Sequence, residues 1–345
     1  MSLINIKDLT IEEIENELLN MGEKKFRAKQ IFKWIHSASR TFDDMTDLSL
    51  ELRESLTSKY DLCVYNIIDR QVSKDGSVKY LFGLPDGNTI ESVVMKYKYG
   101  YSICVSTQVG CKMGCNFCAS SKVNFIRSLT AGEIVEQVLC ATYDLGERIS
   151  NVVYMGIGEP FDNYDNVIKS IKLLNHPYGL NIGGRNISVS TCGIVPKILE
   201  FAKENIQSTL SISLHAPNDK IRGTMMPITK RYDMEQLISA CKEYISKTNR
   251  RITFEYAMVN GVNDSVECAK ELSELLKGML CHVNLIPINK IENGIYTKSN
   301  VESIQNFRDI LNKRGITVTV RRELGSDIEA ACGQLRRDRL KGDIL

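Results

Sequence analysis

The chain contains 345 residues, 43% of them hydrophobic and 25% charged, and its formal net charge is +2. These values are ordinary for a globular protein, and no stretch of the sequence is typical of a transmembrane helix or a signal peptide. We therefore expect a cytoplasmic protein that does not contact a membrane. In that reducing compartment, 11 cysteines indicate metal binding or catalysis rather than structural disulfides.

The first sixty residues are predicted to be helical. Thr10 and Glu13 have the spacing of a capping box. An apolar stripe follows, formed by Ile11, Ile14, Leu18 and Leu19. Two more helices are predicted over residues 28–35 and 50–60. We expect residues 1–60 to form a small helical accessory domain.

The pattern changes from helices to strands near residue 62. Strands are predicted over residues 79–84 and 89–95, and the segment Pro-Asp-Gly-Asn at 85–88 between them is typical of a hairpin turn. Residues 61–98 are therefore expected to form a short β-hairpin region that links the accessory domain to the rest of the chain.

From residue 99 to residue 345, short β-rich runs alternate with longer helical segments. One such segment, over residues 131–143, is amphipathic and follows a capping box at Thr130 and Glu133. The predicted strands are residues 102–107, 151–155, 186–190, 209–213, 252–258, 282–286 and 316–320. Repeated βα units favour an α/β fold with a parallel sheet closed, or partly closed, into a barrel. A flat, doubly wound sheet is the alternative.

Residues with reactive or polar side chains follow these strands. They include Cys111, Cys115 and Cys118 after the first strand, Gly158 and Glu159 after the second, Ser190 at the third, Ser213, Leu214 and His215 at the fourth, Asn289 after the sixth and Cys332 beyond the seventh. In a parallel barrel these positions converge at the carboxyl ends of the strands, where such folds carry out chemistry.

The cysteine triple has the order C-K-M-G-C-N-F-C. Four protein ligands would close a structural zinc site. Three thiolates on a [4Fe–4S] cluster instead leave one iron free to bind a further ligand. Such a cluster can bind an amino acid and deliver one electron to a neighbouring sulfonium, which is chemistry that side chains alone cannot perform. The spacing by itself names no substrate.

The cysteine motif and Gly158-Glu159-Pro160 resemble those of the radical S-adenosylmethionine (SAM) superfamily. Further blocks are similar to the RlmN/Cfr family of RNA methyltransferases, at residues 104–111, 129–134, 213–219, 281–287 and 325–335. The resemblance implies a barrel of radical SAM type, a [4Fe–4S] cluster on the three cysteines, and two SAM molecules per turnover. It also implies that Gly158, Glu159, Ser190, Ser213, Leu214, His215 and Asn289 bind SAM.

By the same resemblance, Cys332 is first methylated, and a 5′-deoxyadenosyl radical then removes hydrogen from that methyl group. The resulting methylene radical adds to an adenine ring. Cys104 would remove the ring proton and form a transient disulfide with Cys332, which must be reduced before the next turnover. Glu91 corresponds to a proton acceptor in the family, and a glutamate on a hairpin face is the alternative.

Several residues have competing interpretations. His215 on its own is expected to satisfy hydrogen bonds rather than act as a base. Cys192 stands where the family pattern more often has serine, and its role stays open. The remaining cysteines are interpreted as packing residues, namely Cys63, Cys140, Cys241, Cys268 and Cys281.

The resemblance implies that the substrate is an adenosine of 23S rRNA, and an adenosine in the tRNA anticodon loop as well. The adenine must leave its stack to meet a buried radical, so looped RNA is the natural substrate. We expect methylation at C2, with C8 as the alternative. Two further alternatives are a non-catalytic metal-containing RNA-binding protein and a radical SAM enzyme for a small molecule.

The expected partners are the RNA and an electron donor such as a flavodoxin or ferredoxin system. The chain is expected to be a monomer, because no coiled coil is evident. Lys24, Lys25 and Arg27 are expected to contact RNA phosphates.

Overall fold

A computed structural model describes residues 3–37, 39–289, 295–330 and 334. The strands are β1 (Ile4–Asn5), β2 (Tyr60–Asp61), β3 (Asn66–Val72), β4 (Val78–Gly83), β5 (Thr89–Tyr97), β6 (Gly100–Cys104), β7 (Gln108–Val109), β8 (Arg127–Ser128), β9 (Ile149–Tyr154), β10 (Ile187–Thr191), β11 (Thr209–Ser213), β12 (Ile252–Met258), β13 (Cys281–Pro287) and β14 (Thr317–Val320). The helices are α1 (Ile11–Asn20), α2 (Arg27–Ile35), α3 (Leu50–Lys59), α4 (Ala131–Leu145), α5 (Tyr164–Asn175), α6 (Val195–Phe201), α7 (Asp219–Met225), α8 (Met234–Thr248), α9 (Val266–Leu275) and α10 (Val301–Lys313).

The main sheet has ten strands in the order β14-β13-β12-β11-β10-β9-β6-β5-β4-β3. The strands from β6 and β9 to β14 are parallel, whereas β3 to β6 pair antiparallel. Among the described strands, β14 does not pair with β6, so the parallel strands form a partial barrel. The expected parallel α/β architecture is confirmed, in its partly closed form.

Local sequence signals explain where the helices begin. The predicted capping boxes at Thr10 and Thr130 are both present, with each side chain accepting from the N–H three residues later. Helix α4 ends at Gly146, which adopts a left-handed conformation (φ +64°) that glycine tolerates without strain. Of the predicted apolar stripe, Ile14 and Leu18 are buried, whereas Leu19 is 49% exposed, so its inclusion was wrong.

One predicted strand is shorter in the structure. Residues 102–107 were expected to be extended, but β6 ends at Cys104. Beyond it, the chain bonds to the loop that follows β9: the Thr107 N–H donates to the Ile157 carbonyl at 2.8 Å. These contacts replace regular ladder pairing and direct the following cysteine loop over the strand ends.

The helical N-terminal region is docked on the outside of the sheet against α4. Lys7 forms a buried ion pair with Glu136, and the Gly132 N–H donates to the Asp8 carboxylate at 2.6 Å. A Cβ at Gly132 would lie 2.8 Å from the Asp8 backbone nitrogen, so this close approach requires glycine. None of the described helices is long and apolar enough to span a membrane.

Candidate active site at the carboxyl ends of the parallel strands

One cavity opens at the carboxyl ends of the parallel strands. Among the residues that line it are Cys104, Cys111, Cys115, Cys118, Gly158, Glu159, Ser190, Ser213, His215 and Asn289. These residues come from the ends of five parallel strands, β6, β9, β10, β11 and β13, and from the loops that follow them. The structure therefore brings together, around one space, the positions that the sequence pattern predicted to converge.

Two of the predicted site residues do not line this cavity, and a third is outside the described residues. Leu214 is fully buried in the main hydrophobic core and does not line the cavity. Glu91 lies on β5, buried beside Lys79. Cys332 lies outside the described residues, two positions after Ala330, which does line the cavity.

The cysteine loop depends on a glycine at its start. Gly110 has a φ of +80°, and a Cβ there would lie 2.2 Å from the Asn124 carbonyl oxygen. The loop then turns tightly, with the Cys118 N–H donating to the Cys115 carbonyl at 3.2 Å. Cys111, Cys115 and Cys118 are all partly exposed and line the same cavity wall.

Neighbouring loops hold the cysteine loop in place. The Asn116 N–H donates to the Met225 carbonyl at 2.9 Å, and its side-chain amide donates to Thr224 O at 2.7 Å. Phe117 packs edge-on against His215 with ring centroids 4.8 Å apart. The aromatic residue of the motif thus connects the cysteine loop to the end of β11.

The chemistry of this donor set fits an iron–sulfur cluster. No three His, Cys, Asp or Glu side chains in the described part of the chain converge as ligands of a single ion would. Cluster thiolates each bind a different iron, so they need only face one space. Burial raises the pKa of Cys111 to about 12 and that of Cys115 further. Without a metal both are therefore neutral thiols, and metal binding would release their protons.

Glu159 is buried and its carboxylate joins two strand-end loops. One oxygen accepts from the Phe161 N–H at 2.9 Å and the other from the Cys192 N–H at 2.7 Å. Burial raises its pKa above the usual value. A carboxylate has about four acceptor sites, so capacity remains for a donor from a ligand in the cavity. Gly158 beside it has a φ of +108°, and a Cβ there would lie 2.7 Å from Gln108 Cβ.

His215 does not have the properties of a base. It is buried, its Nδ1 accepts from the Ala257 N–H at 2.9 Å, and burial lowers its pKa to about 3. The ring is therefore neutral at physiological pH. This agrees with the interpretation of His215 as a hydrogen-bonding residue of the cavity wall.

Two serines and a cysteine form the wall between β10 and β11. The Ser190 and Ser213 hydroxyls are 3.5 Å apart, and both line the cavity. Cys192 also lines it, but burial and the nearby Glu159 raise the pKa of its thiol well above the usual value. The Cys192 thiol is therefore neutral in the free protein.

Arg222 supports the site from behind, and the sequence analysis missed it. Its guanidinium is fully buried and donates to the carbonyls of Cys192 (2.6 Å), Ser213 (3.2 Å) and Leu214 (3.2 Å), and to the Thr229 hydroxyl (3.1 Å). It fixes the ends of β10 and β11 relative to α7. No sequence signal marked it, because an arginine on a short polar helix is normally exposed.

Cys104 lies in a small apolar cluster inside the barrel. It is 8% exposed and packs with Val93 of β5. The cluster also contains Leu324, Ile328 and Ala330 from the segment after β14. The C-terminal segment therefore enters the barrel beside Cys104.

The β3–β4 hairpin holds this C-terminal segment. The Gly325 N–H donates to the Asp75 carboxylate at 2.8 Å. Lys79 donates to the Glu329 carbonyl at 3.2 Å and also faces the Glu91 carboxylate at 2.8 Å. Residues 325–330 are thus tied to the antiparallel end of the sheet, a contact that no local sequence pattern predicted.

Comparisons with known proteins agree with this geometry. The radical SAM superfamily model matches residues 105–272, and the model for the ribosomal RNA large subunit methyltransferase N-terminal domain matches residues 4–62. The chain is 57% identical over 341 residues to a probable dual-specificity RNA methyltransferase RlmN of Caldanaerobacter subterraneus subsp. tengcongensis, covering 98% of this chain and 99% of that protein. A relative with the same name from Clostridium novyi is 54% identical over 98% of this chain and 99% of that protein.

A solved structure is similar over nearly the whole chain. The crystal structure of a radical SAM methyltransferase from Sphaerobacter thermophilus superposes with a TM-score of 0.94 at 44% identity, covering 97% of this chain and 100% of that chain. The likeness includes the N-terminal region as well as the barrel.

Proposed function

Because the chain belongs to the RlmN family of radical SAM RNA methyltransferases, we propose that it methylates C2 of an adenosine in 23S rRNA and in tRNA. The observation that carries the proposal is the convergence of Cys104 and the cysteine triple on one cavity, in a chain that matches dual-specificity relatives from end to end.

In this proposal Cys111, Cys115 and Cys118 hold a [4Fe–4S] cluster, and Glu159, Ser190, Ser213 and Asn289 bind SAM. When bound, the cluster and SAM supply a radical that can activate a methyl group. The protein contributes position and exclusion of water, because most of the cavity lining is apolar and Glu159 is fixed by two backbone donors.

Cys104 and Cys332 have complementary roles in the proposal. Cys332 carries the methyl group, and Cys104 removes the proton from the adenine ring. Cys104 and Ala330 belong to the same apolar cluster, which supports this pairing because Cys332 follows Ala330 by two residues. Glu91 is proposed as a proton acceptor. Its carboxylate lies 2.8 Å from the Lys79 ammonium.

We further propose that residues 1–60 are an accessory domain that contacts RNA through Lys24, Lys25 and Arg27. Residues 61–98 link it to a radical SAM core over residues 99–345. The protein would act in the cytoplasm as a monomer, with electrons from a flavodoxin or ferredoxin system.

The experiment is anaerobic reconstitution with iron and sulfide, followed by incubation with reductant, labelled SAM and a 23S rRNA fragment. Mass spectrometry of the digested RNA should detect 2-methyladenosine. The product should be lost with Cys332→Ala and kept with Cys281→Ala, a half-buried cysteine outside the cavity. Detection of 8-methyladenosine would show that the protein methylates C8 instead of C2. RNA binding without any methylated nucleoside would favour the non-catalytic alternative.

A further inference from the structure

The turn between β5 and β6 carries alternating basic and aromatic residues. Residues 96–101 read Lys-Tyr-Lys-Tyr-Gly-Tyr. The rings of Tyr97 and Tyr99 are stacked, with centroids 4.9 Å apart and planes inclined by 6°. Tyr99 is 69% exposed, whereas Tyr97 is partly buried. The turn therefore presents a flat aromatic surface to solvent.

This aromatic pair lies at the edge of the active-site cavity. Tyr97 lines the cavity together with Cys104, and Arg321 and Arg322 line it from the end of β14. Strand β14 is an edge of the described sheet and β6 pairs with β5, so the parallel strands do not close into a full barrel. Tyr97 on one side and the two arginines on the other therefore flank the open side of the barrel.

The charge around the pair is positive. Lys96 and Lys98 are exposed, as is Arg322. The nearby acidic residue Glu323 is already bound by Lys298 at 2.5 Å. A polyanion that reaches the open side would thus meet cations and a stacking surface together.

Stabilisation of the hairpin alone does not explain this arrangement. An aromatic pair that served only packing would gain most by burying both rings, because the gain scales with the area removed from water. Tyr99 instead leaves most of its ring in solvent. Exposed aromatic rings between lysines are typical of surfaces that bind single-stranded nucleic acid through base stacking and phosphate contacts.

We propose that Tyr97 and Tyr99 form a stacking platform for an unpaired nucleobase of the RNA adjacent to the target adenosine, and that Arg322 contacts a neighbouring phosphate. The proposal rests on the proposed function, since it assumes that an adenosine of looped RNA enters the cavity. Bases splayed out of a loop are commonly held on aromatic side chains. The two tyrosine rings would hold the neighbouring nucleobase while the target adenosine enters the cavity through the open side of the barrel.

The test compares three tyrosine variants of the full chain, with binding of a fluorescent 23S rRNA loop fragment as the readout. Tyr99→Ala should weaken affinity about tenfold, since stacking contributes about 1–3 kcal/mol per base. Tyr99→Phe keeps the ring and should stay within about twofold. Tyr143→Ala is the matched control, because Tyr143 is 57% exposed and also lies near an arginine, but on α4 away from the cavity.

Two further measurements address the contact itself. Arg322→Ala should reduce the slope of log affinity against log salt by about one, as expected for one lost phosphate contact. Wild-type protein should form a photochemical crosslink from Tyr97 or Tyr99 to 5-iodouridine placed beside the target adenosine. The thermal unfolding midpoint of each variant checks that the fold is retained.

The outcomes separate the platform from the proposed function. If wild type binds and methylates the RNA while Tyr99→Ala binds it as well as Tyr143→Ala does, the proposed stacking role is wrong and the proposed function is supported. If the wild-type chain neither binds nor methylates the RNA, both proposals fall. A tenfold loss in Tyr99→Ala, with Tyr99→Phe unaffected, establishes stacking.

Discussion

Lys79 and Glu91 form an ion pair that is almost completely removed from solvent, with Nζ 2.8 Å from Oε1 and side chains only 3% and 1% exposed. The two residues lie on the neighbouring antiparallel strands β4 and β5. Lys79 also donates to the Glu329 carbonyl at 3.2 Å. One ammonium group therefore joins the carboxylate proposed as a proton acceptor to the segment that leads to Cys332.

We predict that Lys79→Met will lower the free energy of unfolding by about 3–5 kcal/mol, because it leaves a buried carboxylate without its facing cation. The double variant Lys79→Met, Glu91→Gln should lose much less unfolding free energy than the sum of the losses in the two single variants. Urea denaturation of all four proteins gives the coupling energy.

A matched control is the exposed pair Lys247 and Glu243 on α8. Lys247→Met should change the free energy of unfolding by less than about 1 kcal/mol, since water screens exposed ion pairs. Additive effects of the Lys79 and Glu91 substitutions would show that the buried pair contributes no coupling.

A second prediction concerns the glycine that begins the cysteine loop. Gly110→Ala places a Cβ 2.2 Å from the Asn124 carbonyl oxygen at a φ of +80°, so the loop must move. The reconstituted variant should bind much less iron and lack the visible absorption of a cluster. Gly146→Ala is the control: it has a similar φ of +64°, yet nothing lies within 4 Å of the added Cβ.

Gly146→Ala should cost about 1 kcal/mol of stability through backbone strain and keep its full iron content. Equal iron content in the two variants would contradict the assigned role of Gly110. Absorbance and iron analysis under anaerobic conditions provide the measurement.

The third prediction uses Arg222, the buried arginine behind the cavity wall formed by β10 and β11. Arg222→Lys keeps the charge but cannot reach four acceptors, so carbonyls of two strand ends lose their donor. We expect a loss of about 3 kcal/mol in unfolding free energy. Weaker SAM binding should accompany it, because Ser190 and Ser213 lie on the strands that Arg222 fixes.

Arg250→Lys is a suitable comparison, because Arg250 also donates to a backbone carbonyl, that of Gln207, but at an exposed site. It should change stability by less than about 0.5 kcal/mol. If equilibrium dialysis gave the same SAM affinity for Arg222→Lys and wild type, Arg222 would have no role in shaping the SAM pocket.

The fourth prediction is a pH dependence of stability caused by His36. The ring is buried against Phe32, with ring centroids 4.1 Å apart, and its Nδ1 donates to the Phe32 carbonyl at 2.9 Å. Burial, with smaller contributions from Lys7 and His176, lowers its pKa from 6.5 to about 4. As pH falls through this range, the unfolded chain takes up a proton that the folded chain does not.

The contribution of His36 is therefore intact above about pH 6.5 and declines towards pH 4, by up to about 3 kcal/mol in total. Urea unfolding of wild type and His36→Gln across this range isolates the effect, because other titrating groups are common to both proteins. If the free energies of unfolding of the two proteins changed with pH in parallel, the pKa of His36 would not be lowered in the folded chain.

Local sequence patterns determined many of the elements. Capping boxes at Thr10 and Thr130 predicted two helix starts, because this motif satisfies the free N–H groups of the first turn by contacts within four residues. The βα alternation predicted the parallel sheet. Strand β3 was not predicted, since five of its seven residues are exposed and no buried apolar pattern marks it.

Most site positions were also accessible from sequence. The cysteine triple and the residues after each strand line one cavity because parallel strands all end at the same edge. Leu214 is the exception among them, because alternation along the chain turns its side chain into the core while Ser213 and His215 face the cavity.

The sequence by itself determined the βα alternation, the cysteine motif and the resemblance that gave the family, because each depends on residues close together in the chain. Only the tertiary structure decided that Arg222 is buried among carbonyls, that Lys79 faces Glu91, and that Tyr97 borders the same cavity as Arg322. These relationships join residues distant in sequence or on different elements. Their energies come from desolvation and packing, which arise only when the folded sheet brings these residues together. No local sequence pattern therefore indicates them.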